Sequence, residues 1–119
     1  MYTSATLSLA ALEYFIHVDP AEAPPDLVAI PADIPDGVSR SEVESADLPT
    51  DWRSYPAPEF LAGLGTEWLR PGRTAVLLVP SVIVPQERNY LLNPAHRDFR
   101  VVRAGTPEPF SFDPRMWKG

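Results

Sequence analysis

The chain has 119 residues, a net charge of −6 and a sequence pI of about 4.7, which limits both its size and its partners. This length fits one domain over residues 1–119 with a hydrophobic core of its own. The acidic balance argues against direct binding of nucleic acid, which requires a cationic surface. Cysteine is absent, so the sequence offers no disulfide and no thiolate metal site. The 15 prolines are spread along the chain and indicate many short elements joined by stiff loops.

The start of the chain lacks the features of a secretory leader. The segment from Met1 to Phe15 has no basic residue at its beginning, and Glu13 interrupts its apolar stretch. No apolar run approaches the length of a membrane span. We therefore expect a cytoplasmic protein that does not contact a membrane.

The first predicted element is a helix from Ser4 to Phe15, with Ser4 or Thr6 as its cap. Leucine, alanine and phenylalanine side chains form a wide apolar face, so we expect the helix to be mostly buried. Glu13 is the one charged residue in this helix. It either lies on an exposed edge, as most helical glutamates do, or points from a buried helix into a cleft.

Two short strands are predicted before the acidic middle of the chain. Leu27 to Ile34 alternates weakly between apolar and polar residues, and Pro31 indicates an edge position or a bulge. After a turn at Asp36-Gly37, Val38 to Val43 forms a second short strand. Solvation of loops explains the acidic side chains of this region better than catalysis does.

A loop and a second helix follow the acidic middle. Residues 45–58 should form a loop whose aromatic side chains, Trp52 and Tyr55, pack over the hydrophobic core. The helix over residues 58–69 has apolar residues on one side, and Pro71-Gly72 ends it.

The last third of the chain contains most of the predicted strands. The continuous apolar run from Arg73 to Val79 predicts a central strand that is buried on both faces, and residues 82–84 extend it past a kink. Tyr90 to Leu92 and Phe99 to Val102 are further strands, and Phe110 to Trp117 is a terminal helical turn over the core. Two helices with strands grouped late in the chain indicate an α+β fold with a mixed sheet of short strands.

Few residues match the patterns of catalytic or binding motifs. The sequence has neither a Walker-type phosphate loop nor a glycine-rich dinucleotide turn. His17 and His96 lie far apart without ligand spacing, so we expect no metal site. Three candidates remain, each with a plain structural alternative. These alternatives are a frayed terminus for Tyr2, a surface charge for Glu13 and a strand end for Ser81.

A long motif around Ser81 combines with the first helix into a recognisable pattern. The pattern consists of Val79-Pro80-Ser81-Val82-Ile83-Val84-Pro85, Asn89, Leu91-Leu92-Asn93-Pro94 and His96, together with Tyr2-Thr3-Ser4, Leu7 to Glu13, His17, Leu64-Gly65 and Trp68-Leu69. It resembles the RES domain, the toxin half of RES–Xre-type toxin–antitoxin pairs. The resemblance covers both ends of the chain and leaves the acidic middle unmatched.

The resemblance implies a fold similar to ADP-ribosyltransferases and cleavage of NAD+ at the nicotinamide–ribose bond. NAD+ is then the substrate, no metal is required, and the partner is an Xre-type antitoxin. Whether the protein forms a homo-oligomer is left open. The family's Glu matches Glu13, its Ser matches Ser81, and the aromatic residue before its helix matches Tyr2. By the resemblance, Glu13 would stabilise a ribosyl cation-like transition state. Ser81 would bond the ribose or the nicotinamide amide, and Tyr2 would stack on the nicotinamide.

The family's Arg has no counterpart in this sequence. In the family it lies upstream of the Tyr, in a short Arg-aromatic-Asn motif, and this sequence begins with Met1-Tyr2. That Arg would grip the pyrophosphate, so without it we expect roughly ten- to a hundredfold weaker binding of NAD+ and little or no turnover. The alternative to a toxin enzyme is a truncated, catalytically inactive RES-domain remnant that only binds its antitoxin. A third interpretation is an unrelated module that binds a small ligand.

Overall fold

The computed structural model describes residues 1–19, 22–55 and 59–117. Within these ranges the chain forms short strands and two α-helices, joined by loops and 3₁₀ turns. In chain order the elements are β1 (Tyr2–Ser4), α1 (Leu7–Phe15), β2 (Val28–Ala29), β3 (Ala32–Asp33), β4 (Arg40–Glu42), α2 (Glu59–Leu69), β5 (Val76–Pro80), β6 (Arg88–Leu92), β7 (Arg103–Ala104) and β8 (Glu108–Pro109). Across the described ranges, none of the helices has the length and apolar character needed to span a lipid bilayer.

Four of the strands form one mixed sheet, in the order β1-β6-β5-β4. β6 pairs antiparallel with both β1 and β5, whereas β4 and β5 are parallel. The register places Asn89 of β6 between Ser4 of β1 and Val79 of β5. The other strands form two separate ladders, β2 with β8 and β3 with β7. The predicted fold class, α+β with a mixed sheet of short strands and two main helices, is confirmed.

β5 is the buried centre of this sheet, as its apolar run predicted. Val76 and Leu77 are almost fully shielded from solvent. Val76 belongs to a core cluster with Val38, Ala75 and Leu92. The strand ends at Pro80, and residues 82–84 turn instead of continuing it, which corrects the predicted extension.

α1 begins at Leu7 rather than Ser4, because residues 2–4 pair with β6 as a strand. Thr6 caps the helix, and its Oγ1 accepts a hydrogen bond from the backbone N–H of Leu9 at 3.1 Å. Leu9 is 1% exposed, whereas Leu7 is 56% exposed. The prediction of a mostly buried helix is therefore wrong, since Leu9 is the one buried residue of α1 and the others are partly or fully exposed.

α2 agrees with the predicted second helix over residues 58–69, of which residue 58 lies outside the described ranges. The helix ends shortly before Gly72, whose φ of 62° is a left-handed conformation that glycine adopts without strain. Trp68 donates a hydrogen bond from Nε1 to Thr74 Oγ1 at 2.8 Å. This bond ties the last turn of α2 to the residues that lead into β5.

Two aromatic residues were predicted to cover the core from the loop before α2, and only one does. Trp52 is 9% exposed, whereas Tyr55 is 97% exposed. The loop backbone decides which ring can reach the core, and no periodic pattern in a loop reports that direction.

The predicted strand from Phe99 to Val102 is wrong, because Arg97–Val101 forms a 3₁₀ helix. His96 caps this helix, and its Nδ1 accepts a hydrogen bond from the backbone N–H of Asp98 at 3.0 Å. The predicted strand from Leu27 to Ile34 is also shorter, since it is divided into β2 and β3 on either side of residues 30–31. Local capping and proline thus override the apolar pattern in both segments.

The terminal turn lies over α1 rather than over the centre of the sheet. Pro114–Trp117 forms a 3₁₀ helix, and the Trp117 ring centroid lies 5.3 Å from that of Phe15 and 5.4 Å from that of Phe112. Phe15 and Phe112 are themselves 5.7 Å apart. This aromatic cluster holds the end of the chain against the last residue of α1.

Candidate active site

The carboxylate of Glu13 is held through one of its two oxygens. Ser81 Oγ donates a hydrogen bond to Glu13 Oε1 at 2.7 Å, and Asn89 Nδ2 donates to the same oxygen at 2.7 Å. Among the described residues, no donor contacts Oε2. The half-buried Glu13 therefore does not fit the alternative of a surface charge. Its carboxylate is fixed by the sheet at Oε1 and available at Oε2.

Ser81 is fully buried directly after β5 and uses its whole hydrogen-bonding capacity within the chain. Its Oγ accepts from the backbone N–H groups of Ile83 and Val84, each at 3.1 Å, and donates to Glu13. A hydroxyl has one proton to donate and two lone pairs to accept with. In this arrangement Ser81 has no capacity left for the ribose or the nicotinamide of a ligand. It anchors the Glu13 carboxylate through Oε1 and stabilises the turn after β5.

Asn89 lies at the centre of the polar network and is 0% exposed. Its Nδ2 donates to Tyr2 OH at 2.6 Å as well as to Glu13, and its Oδ1 accepts from Ser4 Oγ at 2.6 Å. The two amide protons are thus shared between a phenol and a carboxylate. Each buried polar group of this network has a partner, as burial in a protein interior requires.

Tyr2 is in β1 at the edge of the sheet and reaches the network through its hydroxyl. The pKa of Tyr2 is raised to about 12, chiefly by burial of the phenol and then by the negative charge of Glu13, while the hydrogen bond from Asn89 lowers it in part. The phenol is therefore protonated at neutral pH. Because it accepts from Asn89, its own proton remains available to a ligand.

A cavity of about 170 Å³ opens beside Tyr2 and Glu13. Its other walls are mostly apolar and include Trp52, Leu61, Leu64, Leu77, Val79 and Leu91. This volume is below the roughly 300–1,000 Å³ of pockets that enclose a drug-sized ligand. The cavity therefore suits one flat, partly apolar end of a larger ligand, next to the single carboxylate found among its described lining residues.

Arg53 lies next to two residues of the cavity wall, Trp52 and Val82, and this position is called the rim. Its Nε donates to the backbone oxygen of Val82 at 2.8 Å, and its Nη2 donates to that of Ile83 at 3.4 Å. Val82 and the neighbouring Trp52 both line the cavity. Within the described part of the chain Arg53 forms no ion pair, so its charge is available to an anionic group outside the cavity.

Comparison with known proteins shows which family this chain belongs to. The sequence model of the RES domain matches residues 1–113. The chain belongs to the RES domain family. The fold and the site geometry described above are therefore those of a RES domain.

Three relatives of this RES domain carry toxin names. The Prs ADP-ribosylating toxin of Sphingobium sp. (strain YBL2) is 38% identical over 118 residues, which cover 98% of this chain and 73% of that protein. The Toxin Res of Yersinia enterocolitica is 38% identical over 117 residues, covering 98% of this chain and 76% of that protein. The Toxin Res of Photorhabdus laumondii is 32% identical over 120 residues, covering 99% and 76%. The name of the Sphingobium protein agrees with the ADP-ribosyltransferase-like fold that the resemblance implied.

The RES domain brings together the three residues that sequence reasoning selected. Ser81 and Glu13 are bonded directly, and Tyr2 is linked to Glu13 through Asn89. Asn89 was not among the predicted site residues. The signal that could have found it is an amide in the middle of a short strand, since Asn is depleted from strands unless its side chain has a specific partner.

Proposed function

We propose that this RES domain is the catalytic part of a toxin that breaks the nicotinamide–ribose bond of NAD+. The observation that carries the proposal is the Glu13 carboxylate, fixed through one oxygen in the wall of an apolar cavity. The relatives named as toxins support the toxin assignment, and the one named as an ADP-ribosylating toxin supports NAD+ as the substrate.

Glu13 supplies negative charge where positive charge develops in the reaction. As the C–N bond breaks, its electron pair goes to the nicotinamide, which leaves as a neutral molecule and needs no acid. Positive charge then builds on C1′ and on the ring oxygen of the ribose, and a nearby carboxylate stabilises it. The apolar walls around Glu13 strengthen this attraction by excluding water. In the simplest case water adds to C1′ and loses a proton, which yields ADP-ribose.

The remaining residues position the dinucleotide and the carboxylate. The Tyr2 ring, which lines the cavity, stacks on the nicotinamide and orients it for departure. Arg53 at the rim contacts the pyrophosphate, which lies outside a cavity of this size. Ser81 acts through Glu13 rather than on the substrate, because its hydroxyl is already saturated.

An antitoxin would regulate this activity by covering the mouth of the cavity. The relatives named Toxin Res support such a partner, and the resemblance makes an Xre-type protein the candidate. Adding the purified Xre-type protein to the enzyme should stop nicotinamide release and form a complex visible by size-exclusion chromatography. Full activity in a mixture where the complex has formed would contradict inhibition at the mouth.

The direct test is to incubate the purified chain with NAD+ and to follow free nicotinamide and ADP-ribose by chromatography. Millimolar NAD+ and long incubation are appropriate because they make slow release detectable. The matched control substrate is NADH, whose dihydronicotinamide carries no positive charge and is a poor leaving group. We expect a slow release of nicotinamide and ADP-ribose in equal amounts from NAD+, and neither product from NADH. No release from NAD+ under any condition would contradict the proposal and favour a remnant that only binds its antitoxin.

A further inference from the structure

The amide of Asn89 connects the two ligand-facing groups of the cavity. It lies in the middle of β6, is fully buried, and is flanked by β1 on one side and β5 on the other. Its nitrogen lies 2.6 Å from Tyr2 OH and 2.7 Å from Glu13 Oε1. Both groups are therefore held at the two protons of one rigid amide.

The chemistry of the neighbours fixes the orientation of this amide. An ionised carboxylate only accepts hydrogen bonds, so the nitrogen of Asn89 must face Glu13. The Ser4 hydroxyl then donates to the amide oxygen at 2.6 Å. Because the nitrogen also donates to Tyr2, the phenol is forced to act as the acceptor of that bond.

This orientation determines what the cavity offers to a ligand. Tyr2 OH has spent an acceptor site on Asn89 and keeps its proton, while Glu13 has spent Oε1 and keeps Oε2. Both residues line the cavity. The cavity thus presents one donor, Tyr2 OH, next to one acceptor, Glu13 Oε2. Both residues are held in place by hydrogen bonds from the same buried nitrogen of Asn89.

We infer that Asn89 is a positioning residue that selects a ligand with two adjacent hydroxyls. One hydroxyl of such a diol donates to Glu13 Oε2, and the oxygen of the other accepts the proton of Tyr2. In the proposed substrate this diol is the 2′,3′ pair of the ribose next to nicotinamide, so the inference rests on the proposed function. An apolar side chain at position 89 could fill the same space, but it could not orient Tyr2 and Glu13 toward the two hydroxyls.

The experiment uses calorimetry to compare the binding of ADP-ribose with that of an analogue whose terminal ribose lacks the 2′ and 3′ hydroxyls. We expect the chain to prefer ADP-ribose by about tenfold or more, the effect of two hydrogen bonds of which one is to a charged group. In Asn89→Ser this preference should fall to near one, because Tyr2 and Glu13 lose their common anchor. A purely structural role would weaken both ligands alike and leave the ratio unchanged.

Asn93→Ser is the matched control. Asn93 is also buried and follows β6, but its Oδ1 caps a turn by accepting from the backbone N–H of Ala95 at 3.1 Å. This variant should retain the preference for ADP-ribose. If Asn89→Ser does not fold, Tyr2→Phe is the second variant. It removes the donor to the ligand together with the acceptor of the Asn89 bond, at a residue that is 58% exposed, and the ratio should fall several-fold.

The outcomes separate this inference from the proposed function. If the chain binds ADP-ribose with the expected preference but releases no nicotinamide from NAD+, the inference stands and the proposed reaction fails. Equal binding of the two ligands by the unmodified chain, absence of ADP-ribose binding, or a full preference retained in both variants would overturn the inference.

Discussion

The centre of the mixed sheet and the two outer ladders are built on opposite principles. At the centre, Ser81 and Asn89 are 0% exposed and their polar side chains are bonded to other buried or half-buried groups. The ladders β2–β8 and β3–β7 contain two residue pairs each, and most of their residues are exposed. Burying a polar group is costly unless it is fully bonded. The difference favours the centre of the sheet as the place of the proposed site, whereas the ladders only join loop segments.

The largest expected effect is at Glu13. Glu13→Gln keeps the shape of the side chain but removes its charge, and removing one electrostatic contact to a transition state typically costs about a hundredfold or more in rate. The measurement is nicotinamide release from NAD+, with a thermal melt to confirm folding. Glu67→Gln makes the same change on the exposed side of α2 and should leave the rate unchanged. Equal rates for the two variants would remove Glu13 from the chemistry.

Ser81→Ala tests the support behind the carboxylate. The change leaves the N–H groups of Ile83 and Val84 without their acceptor and removes one of the two donors to Glu13. We expect a loss of about 1–3 kcal/mol in the free energy of unfolding. Nicotinamide release should also fall by roughly tenfold, because Glu13 keeps only one anchor. Loss of stability with full activity would show that Ser81 serves the turn alone.

Arg53→Gln tests the rim of the cavity. Its guanidinium is exposed, so the contact with pyrophosphate is weakened by solvent and should contribute less than a tenfold factor, roughly three- to fivefold. We expect this factor as a rise in KM for NAD+, with kcat little changed. The matched variant is Arg103→Gln in β7, which should leave KM as it is. A fall in kcat with constant KM would contradict a role in binding.

The smallest effect is expected in an outer ladder. A Cβ added at Gly105 would lie 2.7 Å from Cγ of Pro31, so Gly105→Ala must displace the strand ends of β3 and β7. We expect a loss of about 1 kcal/mol or less, since the segment is exposed. Gly37→Ala is the control, because a Cβ there meets nothing within 4 Å. Nicotinamide release should be unchanged in both variants, and a large loss in Gly105→Ala would mean that the ladder shapes the site.

The same contrast explains what could be predicted from the sequence. The strand β5 was predictable because a short, continuous apolar run next to proline is typical of a buried strand. The motif around Ser81 led to the family. β1 was missed because Tyr2, Thr3 and Ser4 carry no apolar alternation, and their pairing with β6 depends on residues almost ninety positions away. Asn89 was missed as a site residue for the same reason, since its three partners come from β1 and α1. The catalytic role of Glu13, the positioning role of Ser81 and the ligand contact of Tyr2 stay predictions.

The central claim is that the free oxygen of Glu13 faces the ribose while the bound oxygen holds the carboxylate to the sheet. The most direct test is a crystal structure of the chain with ADP-ribose. We expect a hydroxyl of the terminal ribose within hydrogen-bonding distance of Oε2, with the bonds from Ser81 and Asn89 to Oε1 intact. A ribose bound away from Glu13, or a carboxylate that has left Ser81 and Asn89 to reach the ligand, would contradict it.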